Sequence, residues 1–171
     1  MSIDHIRESV GKVAEYFSAH PDEALSADRP AVAIVEDGLR CSATGPNGAT
    51  LVSDMPKALG GGGSAPTPGW FLRAALANCD ATVIAMRAAQ LGIALSKLEV
   101  AVGSHSDNRG LLGVPDDIAA GPLSVHVSVR IAAPGVSADR LRELVDWAEM
   151  HSPVGDAIRR AIPCALDVQV E

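Results

Sequence analysis

The sequence predicts an α+β fold, with antiparallel groups of strands separated by helices. Three observations predict it. Short Val- and Ile-rich runs come in sets joined by tight-turn signals. Amphipathic or apolar helical stretches lie between those sets. No internal repeat and no parallel βαβ series recurs. At 171 residues the chain has the length of one domain with an appendage, and it can bury a core without metal or disulfide staples. The division expected is 1–30 for an N-terminal helix and its connection, and 31–171 for the body.

Ser2 to Ser18 has Ile3, Ile6, Val10, Val13 and Phe17 at helical spacing, with Ser2 as its cap. That apolar stripe has to cover its own core or a partner subunit. A polar connection with two prolines follows from His20 to Pro30. Ala31–Glu36, Leu39–Ala43 and Ala49–Asp54 form a β-meander, turned at Asp37-Gly38 and at Gly45-Pro46-Asn47-Gly48. Met55–Ala65 is a loop around Gly60 to Gly63. Thr67-Pro68 is a cap followed by proline, and it opens a long helix, apolar on nearly every side, that runs to about Gln90 and stops at Gly92.

Ser96–Gly103 alternates through Leu98, Val100 and Val102, the pattern of a half-buried strand. Ser104–Gly121 reads as a long polar loop. Long loops are often functional, and its patch of Leu111, Leu112 and Val114 suggests a lid over an apolar pocket. Pro122–Ala132 is a strand with Val125, Val127, Val129 and Ile131 on one face. Ser137–Met150 is an amphipathic helix. Ser152-Pro153 opens a short helix to Ala161, and Ala165–Val170 reads as a last strand.

Composition narrows function. Apolar residues make up 47 % and aromatics 3 %, so the core is Ala, Val, Leu and Ile with Trp70 and Trp147 as rare large pieces. The formal charge is −7 with no basic stripe, which argues against a nucleic-acid partner. No apolar run approaches the length of a membrane span, and the charged N-terminus is not a signal peptide. Three cysteines without regular spacing do not make a secreted disulfide framework, so a cytoplasmic protein is expected.

Cys79, near the middle of the apolar helix, is the candidate nucleophile; its bland alternative is a small core residue. Cys41 and Cys164 read as bystanders, although Cys164 could be a displaced second thiol. Ser152 is most simply a helix cap. The glycines 60–63 lack the Gly-Lys-Ser/Thr ending of a phosphate loop and the spacing of a dinucleotide site. The five histidines show no ligand spacing, so neither metal nor cofactor is expected. His126 reads as solvated, and Asp107, Arg109, Asp116 and Asp117 as loop solubilisers.

Met55-Pro-Lys-Ala-Leu-Gly-Gly61, the Thr67-Pro68 pair, the Ala-rich run into Cys79 and the later Ser152-Pro-Val-Gly-Asp-Ala-Ile158 together resemble the OsmC/Ohr family. Its members are osmotically inducible and organic hydroperoxide resistance proteins. The resemblance covers roughly Val32 to the C-terminus and leaves the N-terminal helix outside. It implies an intertwined homodimer, with antiparallel sheets around two long central helices and active sites at the subunit interface. It also implies a chemistry in which a thiolate is oxidised to a sulfenic acid, a second thiol closes a disulfide, and an external dithiol reduces it.

By that resemblance the nucleophile is Cys79. The family's meander-turn Arg aligns with Glu36, the Glu after its helix-opening Pro with Gly69, and its second Cys with Ser152. Arg40 and His151 are the replacement cations the sequence offers. Two functions follow. One is a one-cysteine, thiol-dependent reductase of organic hydroperoxides that relies on an external thiol. The other is a non-catalytic homodimer binding a small hydrophobic or thiol-bearing ligand at the subunit interface.

Overall fold

The computed structural model describes residues 2–171. In chain order the elements are helix α1 (Ile3–Ala19), strands β1 (Val32–Asp37), β2 (Arg40–Thr44) and β3 (Thr50–Ser53), helix α2 (Pro68–Gln90), strand β4 (Lys97–Ser106), helix α3 (Asn108–Leu112), strand β5 (Pro122–Ala132), and helices α4 (Ala138–Met150) and α5 (Pro153–Arg159). Two antiparallel sheets, β1-β2-β3 and β4-β5, give the expected α+β architecture. The chain divides into two compact units. One is Glu8–Ala75; the other is Leu76–Glu171 together with the residues up to Arg7.

In the unit Glu8–Ala75, the meander pairs Val32 with Thr44 and Val35 with Cys41, then Cys41 with Ser53. Its turns need left-handed backbone, supplied by Gly38 at φ 55° and by Asn47 and Gly48 at φ 58° and 75°. The polypeptide after β3 is organised by Asp54, which is only 2 % exposed. Its carboxylate accepts from the backbone N–H of Met55 (2.7 Å), Gly62 (3.3 Å) and Ser64 (2.9 Å) and from the Ser64 hydroxyl (2.7 Å). The glycine-rich run is therefore a ring of donors wrapped around one acid. Gly61 is required there, because a Cβ would sit 2.0 Å from the Met55 carbonyl oxygen. Thr67 caps α2 through its hydroxyl, which accepts from Trp70 N–H at 3.3 Å.

The other unit is built on the row Leu76, Asp80, Ile84 and Ala88 of α2, all buried. Ile84 and Ala88 form one core with Ile93, Leu141, Leu144 and Ala148, flanked by Leu98, Val100, Val129 and Ile131 of the β4–β5 hairpin. The hairpin register puts Leu98 opposite Ile131 and Val100 opposite Val129, so each pair shares the core face. Helix α2 ends as expected at Gly92, at φ 69°. The Ile93 and Gly92 N–H groups bond back to the carbonyls of Ala88 (2.8 Å) and Ala89 (3.0 Å), a left-handed cap that closes the helix.

Two expectations are corrected. Ser104–Gly121 is not one polar loop: β4 extends to Ser106, and α3 follows. Asp107 caps α3 and grips the Arg109 guanidinium at 2.6 Å, so this pair staples the segment instead of merely solubilising it. Leu111, Leu112 and Val114 are exposed and line neither the cavity beside Cys79 nor the groove between the β4–β5 hairpin and α4. Ala165–Val170 is not a strand; the chain from Ala161 onwards has no regular structure and is exposed throughout. Its alternating pattern is right, but no strand pairs with it, and an extended segment without a partner leaves its ladder groups to water. The stripe of α1 is half-buried at Ile3, Ile6 and Val10 and exposed at Val13 and Phe17.

The hydrogen bonds to Asp54, first the Ser64 backbone N–H and then its hydroxyl, hold the carboxyl down at about 2, against an ordinary 3.8. A depressed folded value makes the stability contributed by Asp54 complete above pH ~4 and lost as pH falls towards 2. Urea midpoints of the parent and Asp54→Asn should therefore differ most above pH ~4 and converge below it. A gap that stays constant from pH 6 to 2 would rule out this role for the charge.

Candidate functional site

The period of α2 sets two faces of the helix to different work. The buried row faces the core. Cys79, Thr82, Val83, Met86 and Gln90 recur at spacings of three and four residues, and they line a cavity of about 480 Å³. Asn78, Trp147, His151 and Pro153 complete its lining. The walls are predominantly apolar, and the volume falls within the roughly 300–1,000 Å³ usual for small-molecule sites.

Ser152 stands at the corner between α4 and α5 and is fully buried. Its hydroxyl accepts from Gly155 N–H at 3.1 Å, the expected cap, and donates to Cys79 Sγ at 3.3 Å. The sequence identifies the cap but not the second bond, since its partner lies 73 positions away. A hydroxyl donor beside the sulfur is a hydrogen-bond partner for negative charge that develops there. Gly155 packs closely here: a Cβ would lie 3.1 Å from the Ser152 Cβ and Oγ, a tight contact.

His151 donates its Nδ1–H to the Trp147 carbonyl at 2.7 Å, so a proton taken or given by the ring passes through Nε2. The imidazole stacks on Trp147 with centroids 3.9 Å apart and planes inclined by 11°. The Arg87 guanidinium packs over the same indole at 4.2 Å. Trp147, read from sequence as a core piece, is thus a rigid wall of the cavity. The spacing on α2 could have nominated Thr82, Val83 and Met86; nothing local could have nominated Trp147.

The predicted site residues fall into two groups. Cys79 and His151 line one cavity. Arg40 belongs to the other unit, where its guanidinium donates to Glu36 at 3.2 Å and to the Ser64 hydroxyl at 2.7 Å. Glu36 is thus the partner of a cation, and the chain Arg40–Ser64–Asp54 ties the meander to the glycine-rich loop. All three cysteines are free, Cys79 and Cys41 partly buried and Cys164 exposed. Asp80, next to the thiol in sequence, is 2 % exposed, and neither carboxylate oxygen has a partner among the described residues. Among the described residues no group of three His, Cys, Asp or Glu side chains could hold a metal ion, and no helix is long and apolar enough to cross a membrane.

Comparison with known proteins gives the following. A family model described as OsmC-like protein matches residues 61–167. An OsmC-like protein from Mycoplasma pneumoniae has a similar structure, with TM-score 0.67 and 18 % identity over 79 % of this chain and 89 % of its own. The organic hydroperoxide resistance protein OsmC from Legionella pneumophila is similar at TM-score 0.57 and 23 % identity, over 78 % of this chain and 92 % of its own. The organic hydroperoxide resistance protein OhrB of Bacillus subtilis is similar at TM-score 0.50 and 19 % identity, over 76 % and 90 %. At these identities the structures share the fold. Among curated proteins compared by sequence, none matches the chain.

The Ser152 bond to sulfur has a measurable consequence. A hydrogen bond to a charged acceptor contributes about 1.5–3 kcal/mol, and the smaller figure corresponds to about tenfold. Ser152→Ala should therefore slow alkylation of Cys79 by iodoacetamide at pH 7 by about tenfold. It should also lower stability by about 1 kcal/mol through the lost cap. Unchanged alkylation in a folded variant would show that the hydroxyl does nothing for the thiolate.

Proposed function

The chain belongs to the OsmC-like protein family, and from that premise we propose that it is a one-cysteine, thiol-dependent reductase of organic hydroperoxides. The observation that carries the reading is the Ser152 hydroxyl, which donates to a half-buried Cys79 sulfur at 3.3 Å. That sulfur lines an apolar cavity suited to the organic part of a hydroperoxide.

The Cys79 thiolate attacks the terminal peroxide oxygen, and the O–O bond breaks. The alcohol leaves after taking a proton, and Cys79 becomes a sulfenic acid. His151, in the same cavity, is the group available to take the proton of the Cys79 thiol at Nε2 and return it to the alcohol. An external thiol restores the enzyme. Apolar walls exclude water and keep the oxidised sulfur from side reactions. Three free cysteines fit a reducing compartment such as the cytoplasm.

The second reading, a homodimer that binds a small hydrophobic or thiol-bearing ligand without turnover, is favoured by Ser152, because a hydroxyl cannot close a disulfide. Both readings take the protein as a homodimer. Exposed apolar side chains on β1 (Ile34 60 %, Val35 68 %) and on α2 (Trp70 48 %, Met86 39 %) support that assembly. Sedimentation should find twice the chain mass at micromolar concentration; a stable monomer would remove the dimer from both readings.

Peroxide loss decides between the two. With cumene hydroperoxide and dithiothreitol, the parent protein should consume peroxide at least about a hundredfold faster than Cys79→Ser, a loss of ~2.7 kcal/mol of barrier lowering. Equal, background-level consumption would leave the binding reading. Arg40→Met and His151→Ala belong in the same assay, because each was expected from sequence to supply the cation. A rate unchanged in Arg40→Met would leave that residue with its Glu36 and Ser64 contacts alone.

A further inference from the structure

Three features outside the proposed reaction invite a reading. The groove between the β4–β5 hairpin and α4 has a rim of Lys97, Arg130 and Arg142, but these cations are already paired with Glu99 and Asp139. The exposed apolar knob of Leu111, Leu112 and Val114 has nothing on it to identify a partner. The third feature, the way Cys79 is enclosed, carries further.

We infer that oxidised Cys79 is returned to the thiol by a low-molecular-weight monothiol, through a mixed disulfide lodged in the 480 Å³ cavity. This rests on the peroxidase reading above and names its reductant class. The place where a resolving sulfur of the same chain would have to stand is occupied. Ser152 Oγ lies 3.3 Å from Cys79 Sγ, fully buried and fixed by the Gly155 N–H. A disulfide needs its sulfurs about 2.05 Å apart with matching Cβ geometry, and no cysteine holds that position. Cys164 is exposed in the irregular C-terminal segment, its Sγ directed to its neighbour's carbonyl at 4.0 Å. Cys41 is part of strand β2 in the other unit, with its Sγ near the Leu39 carbonyl. With the position beside the sulfur held by a hydroxyl, we assign resolution to a thiol from outside the chain.

The cavity selects its size. Cys79 is partly buried among Val83, Met86, Trp147 and Pro153, so a folded dithiol protein would have to thread its reactive cysteine between them. A small thiol needs only to enter. Thr82, Gln90 and His151 give polar contacts for its amide or carboxylate groups.

The steps balance. In the first, the thiol RSH attacks the sulfenic sulfur, a sulfur–sulfur bond forms, and the Cys79 S–OH bond breaks. The hydroxyl leaves as water with the proton of the incoming thiol. His151 Nε2, free to accept because Nδ1–H is committed to the Trp147 carbonyl, relays that proton. In the second, another RSH attacks the sulfur of the bound R group, releases Cys79 as the thiol and leaves as RSSR. Two thiols are oxidised for each hydroperoxide reduced to alcohol.

The test uses the full chain and glutathione as the monothiol. The protein receives one equivalent of cumene hydroperoxide, with dimedone or with limiting glutathione, and intact masses are measured. Dimedone should label Cys79. Glutathione should give a single adduct at Cys79, also in Cys41→Ser/Cys164→Ser, that disappears when more glutathione is added. Ser152→Cys should close a disulfide to Cys79 and reduce the adduct at least about tenfold. Should dimedone label Cys79 while glutathione gives no adduct, the monothiol inference is overturned and the peroxidase reading stands. A disulfide from Cys79 to Cys41 or Cys164 in the parent also overturns it. Absence of dimedone labelling sinks the peroxidase reading itself.

Discussion

The contact of α2 with α4 is the constraint from which the site follows. Ile84 and Ala88 on one helix meet Leu144 and Ala148 on the other, with 2 % exposure or less at each. Burying a side chain such as Ile84 or Leu144 contributes about 1.5–3 kcal/mol, more than the cap at Ser152 supplies. This packing fixes where α4 ends. The chain turns there at His151 and Ser152 and starts α5. The hydroxyl beside Cys79 and the imidazole in its cavity are therefore consequences of core packing one and two turns away.

Polar groups are placed sparingly in this aliphatic protein, and two buried carboxylates are treated in opposite ways. Asp54 has four donors and orders the glycine-rich loop around itself. Asp80 sits in the core-facing row of α2 with no partner for either oxygen among the described residues. Burying an unpaired polar group costs on the order of 1–3 kcal/mol, so Asp80 opposes the fold that Asp54 supports. The contrast shows how much a single acid depends on the donors around it. Asp54 has three backbone N–H groups and a hydroxyl within reach because Gly60 to Gly63 let the backbone wrap closely around it.

Replacing a second cysteine by Ser152 changes the role of that position without moving it. A serine still caps the short helix and still reaches the sulfur. What it contributes is a hydroxyl donor to the sulfur instead of a second thiol. The stacked Trp147–His151 pair walls the cavity on which that sulfur opens.

The meander, both ends of α2 and the caps at Ser137 and Ser152 are legible in the sequence, because those signals are local: a hydroxyl before a helix, a proline at its start, a glycine at φ 69° after its end. The sequence also singled out Cys79 and its family resemblance. It misread Ala165–Val170, because alternation cannot show whether a sheet edge is there to pair with. It missed the Asp107–Arg109 staple, because a polar pair in a loop looks the same whether free or bonded. Only the tertiary structure decided that Ser152 donates to Cys79, that Trp147 walls the cavity and that Arg40 is held by Glu36 and Ser64. All three link residues tens of positions apart, and packing, not spacing, brings such groups together.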